Sequence, residues 1–139
     1  MAAPGSIQFV ISSLNKFAEK HIKIITLDAT ANLVEDTPRK TGWARANWVP
    51  RIGAPSKLPT DVTDPQPGQV QGRSAEREAG VLLVASSYKL VNGPIYITNN
   101  VPYIQRLNDG YSAQAPAGFV QSAILRAVRG AFKSGGQSP

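Results

Sequence analysis

The chain contains no cysteine, which rules out a disulfide framework, thiolate catalysis and every cysteine-based zinc site together. His21 is the single histidine, and no HExxH, His/Asp cluster or EF-hand spacing accompanies it. Neither a transition metal nor calcium therefore has a recognisable ligand set, and His21 reads as a packed or partly exposed helical residue. The phosphate-cradling patterns GxxxxGKS, GxxxxGKT and GxGxxG are also missing. No apolar run approaches the ~18 residues of a membrane-spanning helix, and MAAPGSIQFVISSLNKF lacks a basic start followed by an uninterrupted apolar block. A soluble chain made in the cytoplasm, with no membrane partner, is expected.

Groups that could do bond chemistry are equally scarce. Asp61 and Asp64 pair two carboxylates, but in a Pro-rich stretch that offers nothing to bury and perturb them. Ser86 and Ser87 fall inside a helical pattern without nucleophile-elbow glycines, and only one histidine exists to activate a hydroxyl. Neither an enzyme nor a cofactor is expected.

What is present is a chain of 139 residues, enough for one domain with a self-supporting core. Fifteen Lys and Arg against nine Asp and Glu give a formal charge of +6, spread over most of the chain without a basic run. Twelve Gly and eleven Pro imply long irregular stretches.

From Ser6 to about Asp36, Ile7, Val10, Ile11, Leu14, Phe17, Ala18, Ile24, Ile25, Leu27, Ala31 and Val34 recur mostly at spacings of three and four. That spacing predicts a long amphipathic helix, capped by Ser6 and stopped at Thr37-Pro38. Some 30 residues span roughly 45 Å, so one end should project or meet a neighbour, or the helix should break near HIKIIT. Trp43 to Ile52 reads as a strand with Ala44, Ala46 and Trp48 on a core face, and Trp43, Arg45, Asn47 and Val49 on a partly covered or interfacial one.

Residues 53 to 72 hold four prolines and no periodicity, and are expected to be an extended loop. Ser74 to Leu90 predicts a second helix, with Ser74 as cap, Glu76 and Glu78 in the first turns and Lys89 in the last. Its buried face is expected to be Leu82, Leu83, Ala85, Ser86 and Leu90, with Gly80 a weak point. Pro94 to Asn99 is the best strand candidate, and Tyr103 to Asn108 a short helix stopped by Asp109-Gly110. A last helix opens at Ala115-Pro116 and runs to about Phe132, with Phe119, Val120, Ala123, Ile124, Ala127 and Val128 as its apolar stripe. Residues 1–133 form the expected single domain, and 134–139 a flexible tail.

Arg39, Lys40, Arg45 and Arg51 interleave with Trp43 and Trp48, the combination of charge and π-faces that a single-strand groove uses. A small basic nucleic-acid-binding module is thus one reading. The other places the tryptophans in a core or interface flanked by the arginines, because no zinc finger, RNP motif or clear helix-turn-helix is present.

Three stretches, TPRKTGWARANW from Thr37, IYITNNVPYIQRLNDG from Ile95 and SAQAPAGFVQSAI from Ser112, taken together resemble the tail-completion or neck family of tailed bacteriophages. In TPRKTGWARANW, the residues Thr37, Pro38, Thr41, Gly42 and Arg45 match a T-P-x-x-T-G pattern followed by small and basic residues. In IYITNNVPYIQRLNDG, Asn99 or Asn100, Pro102, Tyr103, Leu107 and Gly110 match N-x-x-P-Y-x-x-x-L-x-x-G. In SAQAPAGFVQSAI, Ala115, Pro116, Gly118 and Phe119 match the opening of the C-terminal helix. The Pro-rich stretch at 53 to 72 departs from the pattern.

The resemblance implies an α+β fold: a long N-terminal helix, a small mostly antiparallel sheet with helices packed on it, and a C-terminal helix. It also implies a non-catalytic virion protein at the head-to-tail junction, a tail terminator forming a homo-oligomeric ring of about six copies. Its partners would be copies of itself, the phage connector or head-closure proteins and the tail tube protein, with at most weak non-specific contact with DNA. A head-closure or connector-adaptor role is the alternative within the virion. Ring contacts need two dissimilar patches on one chain. The candidates are Trp43, Arg45 and Trp48 on one side and Tyr103, Arg106 and Tyr111 on the other, each of which could equally be internal packing.

Overall fold

A computed structural model describes residues 2–38, 44–57, 74–110 and 116–136. The fold is α+β, with helix α1 (Ala2–Asp36), strand β1 (Trp48–Ile52), α2 (Ser74–Ser87), β2 (Ile95–Asn99), α3 (Ile104–Asn108) and α4 (Phe119–Gly136) in chain order. The sheet has two strands, β1 and β2, paired antiparallel with Trp48 opposite Asn99 and Ile52 opposite Ile95. α4 lies along α1, which supplies the most extensive helix contact, while α2 packs chiefly on β1. Residues 58–73, which hold most of the Pro-rich stretch with Asp61 and Asp64, lie outside the described residues, as do 137–139.

α1 is longer than its apolar spacing predicts. It begins at Ala2 rather than after a Ser6 cap, and it does not break at HIKIIT, because no Gly or Pro interrupts it between Gly5 and Pro38. Its second half is anchored: Ala29 and Leu33 are buried, and the hydroxyls of Thr26 and Thr30 donate to the carbonyls of Ile22 and Thr26. Its first half is not, since Ile7, Phe9, Val10, Ile11, Leu14 and Phe17 are all exposed. One end therefore projects, as the length demands.

α4 antiparallels α1, and two contacts show the alignment. Near the start of α4, Asn32 Nδ2 donates to the Ala123 carbonyl at 3.1 Å. Farther along, the Phe132 ring stacks on the imidazole of His21 with centroids 5.2 Å apart. Ala123, Ala127 and Ala131, spaced by four, are buried and let the two helices approach closely, while the larger Ile124 and Leu125 stay exposed. The central cluster joins Leu33 of α1, Trp48 of β1 and Ala123 of α4, with Val34, Ile97, Ile104 and Val120 packed around it.

Strand β1 is shorter than the expected Trp43 to Ile52. Arg45–Asn47 form a 3-10 turn, and extended backbone begins at Trp48. Trp48, Val49 and Pro50 are consecutively buried, so both faces of the strand are covered rather than alternately exposed. Pro50, which cannot donate to a ladder, is tolerated because each strand of a two-stranded sheet has one unpaired edge.

The expected face of α2 is reversed. Leu82 and Leu83 are 67% and 54% exposed, Ala85, Ser86 and Leu90 are exposed too, and the buried positions are Val84 and Tyr88. The reason is Gly80, one helical step before Val84 on the same stripe. A Cβ at that position would lie 2.2 Å from the Pro50 carbonyl oxygen, so glycine lets α2 sit directly on β1 by this face. The helix also stops at Ser87, leaving Lys89 in the following turn rather than in a last helical turn.

Gly80→Ala should lower stability by roughly 1–3 kcal/mol, because backbone rather than a flexible side chain must move. Gly130→Ala, on α4 with open space around the added Cβ, should raise it by about 0.5–1 kcal/mol. Urea unfolding of both variants checks the pair, and equal effects would contradict the described contact.

Candidate functional site

The described parts of the three motif stretches meet at one corner of the fold. The first ends α1. The Thr37 hydroxyl donates to the Leu33 carbonyl and accepts the indole N–H of Trp48 at 2.8 Å, with Thr37 buried and Trp48 only 5% exposed. A buried N–H without a partner is costly, and this hydroxyl supplies it. Beside it, Arg45 Nε donates to the Val34 carbonyl at 2.6 Å and Nη2 to the Glu35 carbonyl at 2.8 Å. These are carbonyls that the end of a helix leaves unbonded, and the guanidinium also meets the negative end of the helix dipole. Pro38 then prevents continuation.

The second stretch is fastened to the first by asparagines. Asn99 Nδ2 donates to the Ala44 carbonyl at 2.7 Å, and Asn99 Oδ1 accepts the Val101 N–H at 3.0 Å, turning the chain off β2. Asn100 Nδ2 donates to the Ser56 carbonyl at 3.1 Å. Ala44 and Val101 are buried against each other, covered by Tyr103, Ile104 and Leu107. Pro102 opens the turn before α3, and Gly110 closes it with a φ of +98°, a conformation that favours glycine.

The third stretch is held by Asn108. Its carbonyl accepts the Gly118 N–H at 2.7 Å, its Oδ1 accepts the Val120 N–H at 2.9 Å, and its Nδ2 donates to Gln121 Oε1 at 2.9 Å. The helix cap of α4 thus comes from Asn108, eleven positions before Phe119 and across a turn. This is why α4 opens at Phe119 and not at Ala115-Pro116. Gly118 has a left-handed φ of +79°, and Phe119 is buried immediately after it. At its other end the helix runs past Phe132 through Gly136, into the expected tail.

Of the six candidate interface residues, Trp43 and Tyr111 lie outside the described residues, as do Thr41 and Gly42 of the motif. Trp48 is internal packing, and Arg45 is spent on the end of α1. Tyr103 is half-buried beside Ala44, and Arg106 is exposed on α3. Arg45, Trp48 and Tyr103 are therefore brought to one corner, but as parts of its framework. The sequence marks Asn108 only as a helix end, and its position in Asn-Asp-Gly, a turn sequence, is the signal for its second task.

The described residues of the corner are engaged in hydrogen bonds and packing. Among the described residues, no group of three His, Asp or Glu side chains is placed to hold a metal ion. His21 lies far down α1, between the rings of Phe17 and Phe132, with Nδ1 2.9 Å from the Phe17 carbonyl oxygen. Ser86 and Ser87 donate to carbonyls four residues back in α2. Tyr88 is buried and donates to the Gly93 carbonyl at 2.9 Å. Burial, and then the Glu19 carboxylate, push its pKa above the ordinary 10.0.

Compared with protein families, curated proteins and solved structures, the chain matches none.

Thr37→Val should leave the Trp48 N–H buried and unpaired and lower stability by about 1–3 kcal/mol, whereas Thr37→Ser should lose much less. Thermal unfolding distinguishes them, and equal losses would mean that the methyl group, not the hydroxyl, matters. The raised pKa of Tyr88 gives a second expectation. Its neutral form stabilises the fold fully below pH ~10, and that contribution is lost as pH rises through the folded-state value. The urea midpoint should fall over that range, and Tyr88→Phe should remove this part of the fall.

Proposed function

We propose that the chain is a structural virion protein that forms a ring at the head-to-tail junction of a tailed phage, completing the tail, joining it to the head connector and leaving a passage for DNA. The observation that supports this reading is the meeting of three separate motif stretches at one corner. Ala44 of the first is tied to Asn99 and packed on Val101 of the second, and Asn108 of the second accepts the N–H groups of Gly118 and Val120 of the third. The role is non-catalytic, with copies of the chain, a connector or head-closure protein and the tail tube protein as partners.

The arrangement of the Trp/Arg segment supports a structural role over a nucleic-acid groove. Trp48 has no face available for stacking on a base, and Arg45 is bound to helix carbonyls. Trp43, Arg39 and Lys40 lie outside the described residues. With a charge of +6, some attraction to a polyanion follows from the field alone.

Deleting the gene from a phage that carries it should leave tails that do not attach to heads, or tubes of uncontrolled length, in negative-stain images. Normal infectious particles would overturn the proposal. Titrating salt against DNA affinity should give a shallow slope and no sequence preference, like that of a generic basic protein. A steep slope with tight, selective binding at physiological salt would favour the nucleic-acid module instead.

A further inference from the structure

Asn92 is the one asparagine of the chain that is followed by glycine, and the pair sits in the short link between α2 and β2. The side-chain amide of an asparagine is open to attack by the backbone nitrogen of the next residue, and glycine shields that nitrogen least because it has no Cβ. The link itself is thinly protected. Leu90–Asn92 form a single 3-10 turn without a buried residue, and Val91 is 90% exposed.

In the folded chain the reacting atoms are held apart. Ring closure needs the Gly93 nitrogen to swing until it eclipses Cβ of Asn92, whereas 3-10 backbone keeps ψ at about −20 to −30°. The Gly93 N–H donates to the Leu90 carbonyl at 3.1 Å, so losing its proton would turn a lone pair onto a carbonyl oxygen. The Asn92 side chain is engaged as well, its Oδ1 accepting the Lys89 N–H at 2.8 Å. Two further bonds clamp the turn from outside. The Glu19 carboxylate of α1 accepts the Leu90 N–H at 2.7 Å, and the Tyr88 hydroxyl donates to the Gly93 carbonyl at 2.9 Å.

We infer that Asn92 is a site of spontaneous deamidation, and that Glu19 and Tyr88 gate the reaction by holding the turn closed. When the turn opens, the Gly93 N–H gives its proton to hydroxide and the nitrogen attacks Asn92 Cγ. The bond from Cγ to the side-chain nitrogen breaks, and that nitrogen takes a proton from water and leaves as ammonia. Water then opens the five-membered imide at either carbonyl, giving aspartate or, with the backbone rerouted through Cβ and Cγ, isoaspartate. Aspartate keeps a side-chain oxygen for the Lys89 N–H, so the turn survives. Isoaspartate adds a carbon to the backbone directly before Gly93, which displaces the Gly93 carbonyl from the Tyr88 hydroxyl and shifts the entry to β2. Opening is local, because it breaks hydrogen bonds at an exposed turn and leaves the cluster of Leu33, Trp48 and Ala123 packed. Asp109-Gly110 can close the same ring, but it loses water and regains it, so its mass ends unchanged.

The test is to incubate the full chain in mildly alkaline buffer and map its peptides by mass spectrometry, with isoaspartate counted by methyltransferase labelling. Asn92 should be the first asparagine to convert, and it should convert at least about tenfold more slowly in the folded chain than in urea. Glu19→Ala removes the clamp from α1 without touching the core, and should speed the folded-state reaction by about threefold or more. Tyr88→Phe should act in the same direction. Thr37→Val weakens the fold just beyond the C-terminal end of α1, away from the turn, and should leave the rate unchanged. Asn92→Asp should unfold at the same temperature as the parent chain. Earlier conversion of another asparagine, or equal rates in buffer and in urea, would overturn the inference. So would equal acceleration by Thr37→Val and Glu19→Ala, since the gate would then be global unfolding rather than the turn.

Discussion

The Thr37 hydroxyl, donating to the last turn of α1 and accepting the Trp48 indole N–H, is the constraint from which the rest of the fold is arranged. In a buried setting both bonds are strong, and neither group can be released to water without opening the core. With its N–H fixed, the Trp48 side chain has one direction left, into the space between Leu33 and Ala123. That placement sets where β1 starts, and hence which residues of β2 face it. Arg45 ties the same helix end to the turn before the strand, so α1 and the sheet meet at an angle held by two independent sets of bonds.

A second level of order is built on glycine and asparagine. Gly80 decides the face of α2 by permitting contact with the Pro50 carbonyl, and Asn108 decides the start of α4 by reaching across a turn. Neither residue contributes much apolar area. Each removes one alternative, a helix rotated about its axis or a helix begun a turn too early, and such choices give a single packed state in place of several. The salt link between Arg126 and Asp36 at 2.8 Å is of a different kind, being exposed and worth little on its own.

How far the fold could be read from residues depended on whether the controlling interaction was local. The stripe through Leu27, Ala31 and Val34, the β-branched run at Ile95–Thr98 and the Asp109-Gly110 stop are local, and they mark α1, β2 and the end of α3 close to where these occur. For the face of α2, hydrophobicity favours Leu82 and Leu83, whereas a backbone contact with a distant strand selects Gly80, Val84 and Tyr88. The residue pattern starts β1 at Trp43, but the 3-10 turn at Arg45–Asn47 serves the end of α1, which no strand pattern registers. The motif positions were legible as residues, but their work as a joint was not. Asn99 reads as a strand end and Asn108 as a helix end, and their partners lie far away or across a turn.

The projecting arm has a thermodynamic consequence that follows from its continuity with the packed half of α1. An isolated segment of this length, rich in β-branched residues, would have to nucleate its own helix, with a Zimm–Bragg penalty on the order of 10⁻³. Here the anchored turns around Ala29 and Leu33 act as a standing nucleus, and each further turn toward Ala2 needs only propagation. Any surface that meets the arm therefore meets a helix already wound, and association escapes most of the ordering entropy that a peptide of the same sequence would lose.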